Sequence, residues 1–318
     1  MNPTSTASPS PPRPDDRSFY GPRGRSAWLD VDWREHQRWV VVDGEPVNVI
    51  ELGPLEKPVD PEGSQPLLFV HGLSGSWQNW LEQLPVFAAE HRVVAIDLPG
   101  FGHSPMPSWP ISISAYARML NRLLDVLRID AAAVVGNSMG GFVSAELAIA
   151  FPQRVERLVL VSPSGLSSYR PDATRALGAL QRLERILAAE TAWVASKSDT
   201  VARRPRLREA TLRLVARHPD RLGAALAAEQ LRGAGKPGFM PALAAHLEYD
   251  FRDRLQEIAC PTLIVWGKDD RVVTVRDASV FTELIPNSRA VLYEDTGHVA
   301  MLERPDAFNA LLEAFLSE

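Results

Sequence analysis

Apolar residues fall along this chain in two rhythms that take turns. Short continuous apolar runs occupy residues 67–71, 93–98, 132–135, 158–161, 263–266 and 290–293, each ending near a glycine or a polar residue. Runs without inside–outside alternation predict strands covered on both faces, as in a parallel sheet. Between several of them the spacing becomes helical. Ile113, Tyr116, Leu120, Leu123, Leu124 and Leu127 share one face, and so do Phe308, Leu311, Leu312 and Phe315. Ahead of these, residues 38–42 and 47–51 flank Asp43-Gly44, a hairpin signal. Strand–helix alternation of this kind predicts a doubly wound α/β sheet.

One interval breaks the rhythm. About a hundred residues separate the strand ending near Val161 from the one starting near Thr262, where a parallel crossover needs a dozen or so. The excess has helical spacing: Leu177, Leu180, Leu183 and Leu187, then Leu207 and Leu214, Leu222 and Leu226, and Met240, Leu243 and Leu247. Residues 164–248 therefore predict an inserted helical cap, with an independent helical domain as the alternative. An insertion after a strand's C-terminal end lies over the ligand crevice, which favours the cap. Residues 27–163 and 249–318 form the body. Residues 1–26 are rich in proline and serine, bury little, and predict a disordered tail; Trp28, Trp33 and Trp39 mark where packing begins.

Composition narrows the picture by exclusion. A net charge of −5 over 318 residues gives no general pull toward nucleic acid. The single cysteine, Cys260, permits no intrachain disulfide and no cysteine-based metal site. No apolar stretch is long enough to span a bilayer, and residues 1–16 lack the apolar run of a signal peptide, so the expected location is cytoplasmic. Residues 170–250 reverse the sign of the chain, with 14 Lys and Arg against 9 Asp and Glu, densest at Arg203-Arg204-Pro205-Arg206-Leu207-Arg208. A weak contact of the cap with an anionic membrane surface is one reading of that cluster; a solvated helix face is the other. Oligomeric state is not legible.

The chemistry-bearing motif is Gly136-Asn137-Ser138-Met139-Gly140-Gly141, which follows a strand run and opens a helical pattern. It matches a G-x-S-x-G elbow in its required context. A serine on such a turn takes a strained backbone, and glycines two residues to either side let strand and helix approach. The helix N-terminus that follows favours negative charge. A serine nucleophile needs a base, and the base an orienting acid. His298, in Asp295-Thr296-Gly297-His298 after the last strand run, is the base. Asp269 and Asp270, just past the strand run 263–266, are the acid candidates. The chain order serine, aspartate, histidine is that of α/β hydrolases.

Together with His71-Gly72-Leu73-Ser74-Gly75-Ser76-Trp77, Asp97-Leu98-Pro99-Gly100-Phe101-Gly102-His103-Ser104 and Glu303-Arg304-Pro305, these motifs resemble the α/β-hydrolase superfamily, in the branch with a helical cap after the sixth strand. The resemblance implies an eight-stranded, mostly parallel sheet. It places the acid on Asp270, the fifth residue of Trp266-Gly267-Lys268-Asp269-Asp270. It also implies an oxyanion hole made by the backbone N–H groups of Leu73 and Met139. Similar epoxide hydrolases and haloalkane dehalogenases carry aspartate where this chain has Ser138, so those activities are disfavoured. The reading that follows is a cofactor-free, metal-free serine hydrolase, esterase- or lipase-like, acting on a small apolar ester. The alternatives are a carbon–carbon bond hydrolase of the meta-cleavage type and a cofactor-free haloperoxidase or perhydrolase. From another class comes a non-catalytic ligand-binding protein, against which all three triad residues are present.

Overall fold

The computed structural model describes residues 20–54, 65–167 and 194–318. Eight strands form one sheet: β1 (Gln37–Val42), β2 (Glu45–Leu52), β3 (Leu67–Val70), β4 (Val93–Ile96), β5 (Ala132–Asn137), β6 (Val155–Val161), β7 (Thr262–Gly267) and β8 (Ser288–Tyr293). Their spatial order is β1-β2-β4-β3-β5-β6-β7-β8. β2 runs antiparallel to both neighbours, and the remaining pairs are parallel. Asp43 and Gly44 both take positive φ (49° and 85°), the two-residue turn whose twist suits a hairpin, so Val42 pairs with Glu45.

The six apolar runs all become strands, and all but the last, which forms edge strand β8, lie in the sheet's covered interior. β3, β4, β5 and β7 are buried along their whole length. Val94 and Ile96 join the apolar core on one face of the sheet, and Val93 and Ala95 the core on the other. The sheet's two edges, β1 and β8, are partly exposed. Trp39, expected to mark the start of packing, lies on the outer face of edge strand β1 and is 54% exposed, because Val40 and Val42 occupy its inner face.

Among the described residues the α-helices of five residues or more are α1 (Ile113–Leu127), α2 (Met139–Ala150), α3 (Ser198–Ala202), α4 (Pro205–Leu212), α5 (Ala224–Arg232), α6 (Phe239–Glu248), α7 (Asp277–Leu284) and α8 (Pro305–Leu316). α1 is amphipathic and buries the face its spacing predicts. The Ser112 hydroxyl caps it by accepting the Ala115 N–H, and Arg128 ends it in a left-handed conformation. α2 is buried on every side from Met139 to Ile149 and is largely apolar; its one carboxylate, Glu146, is paired with Arg254 (3.1 Å).

α3 to α6 all lie in the interval between β6 and β7. The helical spacing at Leu177, Leu180, Leu183 and Leu187 falls outside the described residues. So do residues 1–19 of the segment expected to be a disordered tail. Its remainder, residues 20–26, departs from that expectation. The Tyr20 hydroxyl donates to Glu303 (2.6 Å), Gly21 N–H to the Glu303 carbonyl (2.8 Å), Arg23 N–H to Asp306 (2.8 Å) and the Ser26 hydroxyl to Glu82 (2.7 Å). An aromatic ring and a run of polar groups with fixed partners hold this stretch on the body where hydrophobic content alone would not.

Among the described residues no helix is long and apolar enough to cross a membrane.

Candidate active site

Ser138 sits in the turn between β5 and α2 with φ 55° and ψ −119°, a strained conformation for any L-residue. Its N–H donates to Val161 on the neighbouring strand (3.0 Å), and its carbonyl accepts from Phe142 (3.1 Å) and Ser164 (3.2 Å). The flanking glycines are required by close approach. A Cβ on Gly136 would stand 2.4 Å from the Gly140 carbonyl oxygen, and one on Gly140 would stand 2.2 Å from that of Val70. The turn thus holds the serine at the C-terminal edge of the sheet, beside the first amides of α2, which have no intrahelical acceptors.

His298 follows β8 on a short loop. Its Nδ1 lies 2.7 Å from Asp270 Oδ2. Asp270 in turn is held on both oxygens: Oδ2 accepts the Trp266 indole N–H (3.0 Å), and Oδ1 accepts the N–H groups of Val272 (2.8 Å) and Val273 (3.0 Å). Between the two acid candidates the geometry is unequivocal. The Asp269 side chain faces Arg217 at 3.6 Å and does not meet the imidazole. The backbone of His298 is tied as well: its N–H donates to Val215 (2.8 Å), and its carbonyl accepts from the side-chain amide of Asn137 (3.3 Å), next to Ser138.

The His71-Gly72-Leu73 turn lies against the elbow. A Cβ on Gly72 would come 3.0 Å from Ser138 Cβ. Leu73 follows this glycine and lines the same cavity as Ser138 and His298. His71 is fully buried; its Nε2 accepts the Leu98 N–H (3.0 Å) and its Nδ1–H donates to Gly72 (2.8 Å), while burial drives its pKa down. It is therefore a neutral structural tie. Asp97 serves as a buried hub: its carboxylate accepts from Asn48 (2.8 Å), Trp77 N–H (2.8 Å) and His103 N–H (2.8 Å), joining β2 to the loops after β3 and β4. His103 is exposed on the surface, and His246 packs edge-on against Phe142 with its Nδ1 3.4 Å from the Ser164 hydroxyl.

Ser138 and His298 open into one cavity. Its walls include Leu73, Leu212, Val215, Leu222, Leu231 and Val299, with Asn79, Gln230 and Thr211 as polar points. No charged side chain lines it among the described residues. Sequence reasoning missed Asn79, Gln230 and Thr211. They sit among helical and loop patterns that carry no chemical signature, and only the fold turns them inward. Among the described residues no group of three or more His, Cys, Asp or Glu side chains could hold a metal ion. Arg208, taken as part of a surface basic cluster, is buried and donates to the carbonyls of Ala202 (2.7 Å), Pro219 (2.8 Å) and Asp220 (2.6 Å). Its exposed neighbours Arg203, Arg204 and Arg206 remain on the surface.

A serine on a strained elbow and a carboxylate-bound imidazole lining one cavity can perform acyl transfer. Residues 65–305 match the family model for the alpha/beta hydrolase fold. The chain is 32% identical over 80% of its length to a dihydrolipoyllysine-residue acetyltransferase component of an acetoin cleaving system from Cupriavidus necator, of which it spans 64%. It is 31% identical, over 80% of its length and 87% of the relative's, to a 2-hydroxy-6-oxononadienedioate/2-hydroxy-6-oxononatrienedioate hydrolase from Cupriavidus pinatubonensis. Among solved structures, an N-acyl homoserine lactone degrading enzyme superposes with a TM-score of 0.64 at 27% identity, covering 87% of this chain and 100% of that one.

Proposed function

Because the chain belongs to the alpha/beta hydrolase family and is a hydrolase, we propose that it cleaves carboxylic esters through an acyl-enzyme on Ser138. The observation that carries this reading is the cavity: a serine and an imidazole in its lining, apolar walls, and no charged side chain among its described lining. Such a site suits an uncharged acyl compound. A buried anion without a cationic partner would cost several kcal/mol.

In this reading His298 Nδ1–H donates to Asp270, which leaves Nε2 as the basic nitrogen. His298 takes the Ser138 proton as the hydroxyl attacks the acyl carbon. Asp270 stabilises the imidazolium, and the N–H groups of Leu73 and Met139 receive the developing oxyanion, worth roughly 3–4 kcal/mol per donor. The imidazolium then protonates the leaving alcohol, and water activated by His298 releases the acid. The insertion acts as the cap: its share of the cavity wall includes Thr211, Leu212, Val215, Leu222, Gln230 and Leu231.

A second reading, hydrolysis of a carbon–carbon bond in a ring-cleavage dienoate, has the better support from the comparisons, because several relatives at 30–32% identity carry that hydrolase name. A dienedioate carries two carboxylates, for which the described lining offers no cation.

The test is initial rates on p-nitrophenyl esters from acetate to palmitate, for wild type and Ser138→Ala, with a meta-cleavage dienoate in parallel. Ester turnover with a chain-length optimum, lost in Ser138→Ala together with fluorophosphonate labelling, supports the ester reading. Turnover of the dienoate alone replaces it with the second.

A further inference from the structure

The catalytic geometry described above accounts for the side chain of His298. It leaves open what fixes the loop that carries it. Three parts of the chain, remote in sequence, meet behind that loop.

Glu303 is fully buried. Its two carboxylate oxygens accept the Gly297 N–H (2.9 and 3.0 Å), and Oε2 also accepts the Arg217 N–H (2.8 Å) and the Tyr20 hydroxyl (2.6 Å). The Tyr20 oxygen accepts the His218 N–H at 2.9 Å. His218 Nε2 lies 2.7 Å from Asp295 Oδ1, and Val215 accepts the His298 N–H. The Tyr20 ring lies beneath the guanidinium of Arg304 and edge-on to His218. The residue before the catalytic histidine, the insertion strip 215–218 and the N-terminal segment are thus joined through a single carboxylate and a single phenol.

Nothing in the proposed chemistry uses these groups, and Tyr20 lies outside residues 65–305, the region that matches the family. We infer that Tyr20 and Glu303 are positioning residues for His298, so that the N-terminal segment forms part of the catalytic histidine's mount. The inference rests on the role proposed above for His298. A charged acceptor shared by three donors is stiffer than a neutral one, because each bond is charge-assisted. Burial pushes the Glu303 carboxyl upward, and the hydrogen bonds from Tyr20, Arg217 and Gly297 counter that rise. The other charged or titratable groups around the junction are Arg217, His218 and Arg221 from the insertion, Asp269 and Asp295 from the loops after β7 and β8, and Arg304 beside Glu303. Removing the Tyr20 hydroxyl takes away one of the bonds that favour the carboxylate, so Glu303 protonates at higher pH and its grip on Gly297 loosens there.

The experiment compares the full-length chain with Tyr20→Phe and Ser26→Ala. Ser26→Ala breaks the anchor of the same segment on Glu82 and touches none of the groups behind His298. Amide hydrogen exchange at Gly297 and His298 is measured together with kcat and KM across pH. Expected for Tyr20→Phe are faster exchange at Gly297, a fall in kcat of about tenfold at unchanged KM, and an acid limb of kcat displaced to higher pH. Ser26→Ala should leave all three unchanged. If Tyr20→Phe does not fold, Glu303→Gln is measured in its place, with faster exchange at Gly297 expected. Unchanged exchange at Gly297 with a lowered melting temperature would make the junction a structural tie only and overturn the inference. The exchange arm needs no substrate, so it decides the matter even if no ester is turned over.

Discussion

Replacing Asp270 with asparagine changes one oxygen to an N–H donor with almost no change of shape. The wild-type surroundings make the consequence calculable. Oδ1 accepts two backbone N–H groups, from Val272 and Val273. Oδ2 accepts the Trp266 indole N–H and meets His298 Nδ1. If the new NH2 occupied the Oδ1 place, two backbone N–H groups would lose their acceptor, at about 1–3 kcal/mol each. In the Oδ2 place only the indole N–H loses its acceptor, because the imidazole can adapt. It does so by presenting a bare Nδ1 and moving its proton to Nε2, the nitrogen that must accept the proton of Ser138. The cheaper orientation is therefore the inactive one. We expect kcat to fall by about 10⁴-fold at unchanged KM, equivalent to roughly 5.5 kcal/mol of transition-state stabilisation. The assay is steady-state hydrolysis of the best p-nitrophenyl ester, with Asp269→Asn in parallel. The Asp269 carboxylate faces Arg217 at the surface and should retain activity within about twofold. Retention of more than about a tenth of kcat by Asp270→Asn, or an equal loss in Asp269→Asn, would refute the assignment.

Two further outcomes follow from the geometry. Gly72→Ala places a methyl group 3.0 Å from Ser138 Cβ and should push the turn carrying the Leu73 amide away from the elbow. A loss of about 10²-fold in kcat with a melting temperature close to wild type is expected; unchanged kcat would remove Leu73 from the oxyanion hole. His246 is buried, and burial depresses its pKa to about 4 from an unfolded value near 6.5. The unfolded chain therefore binds a proton at this site before the folded one does. Stability is complete above pH 6.5 and is lost as pH falls toward 4, by about 2 kcal/mol at pH 5. Urea midpoints at pH 7 and pH 5 should converge in His246→Phe relative to wild type. An unaltered pH dependence would locate the acid sensitivity elsewhere.

The body of the fold was legible because its strands are covered on both faces, so burial writes itself as unbroken apolar runs at 67–70, 93–96 and 262–267. The site was legible because Ser138, Asp270 and His298 each follow a strand end, where short loops carry few competing residues. What was hidden depends on contacts between distant segments. Glu303 stood out as part of Glu303-Arg304-Pro305, but it meets Tyr20 across 283 positions, and no local pattern reveals that partner. Trp39 misled because aromatic character predicts packing, while edge strand β1 has a face with no neighbour. Arg208 read as solvent-facing because its neighbours are basic. A guanidinium can nonetheless be buried when carbonyls satisfy its donors, and no sequence window shows where those carbonyls will be.

That arginine sets terms for how this enzyme can change. The carbonyls it binds, those of Ala202, Pro219 and Asp220, are main-chain groups that any residue supplies. Only a few positions along the same helix, Thr211 and Leu212 form part of the cavity wall, with Val215 just beyond them. Arg208 thus fixes this part of the insertion from behind, while Thr211 borders the cavity and Leu212 belongs both to its wall and to the apolar core. Thr211 can be varied with Arg208 held constant, whereas Leu212 and Val215 pack with the core and alter stability along with the wall. Reshaping this cavity wall is thus coupled, at two of these three positions, to the packing that holds the insertion on the body.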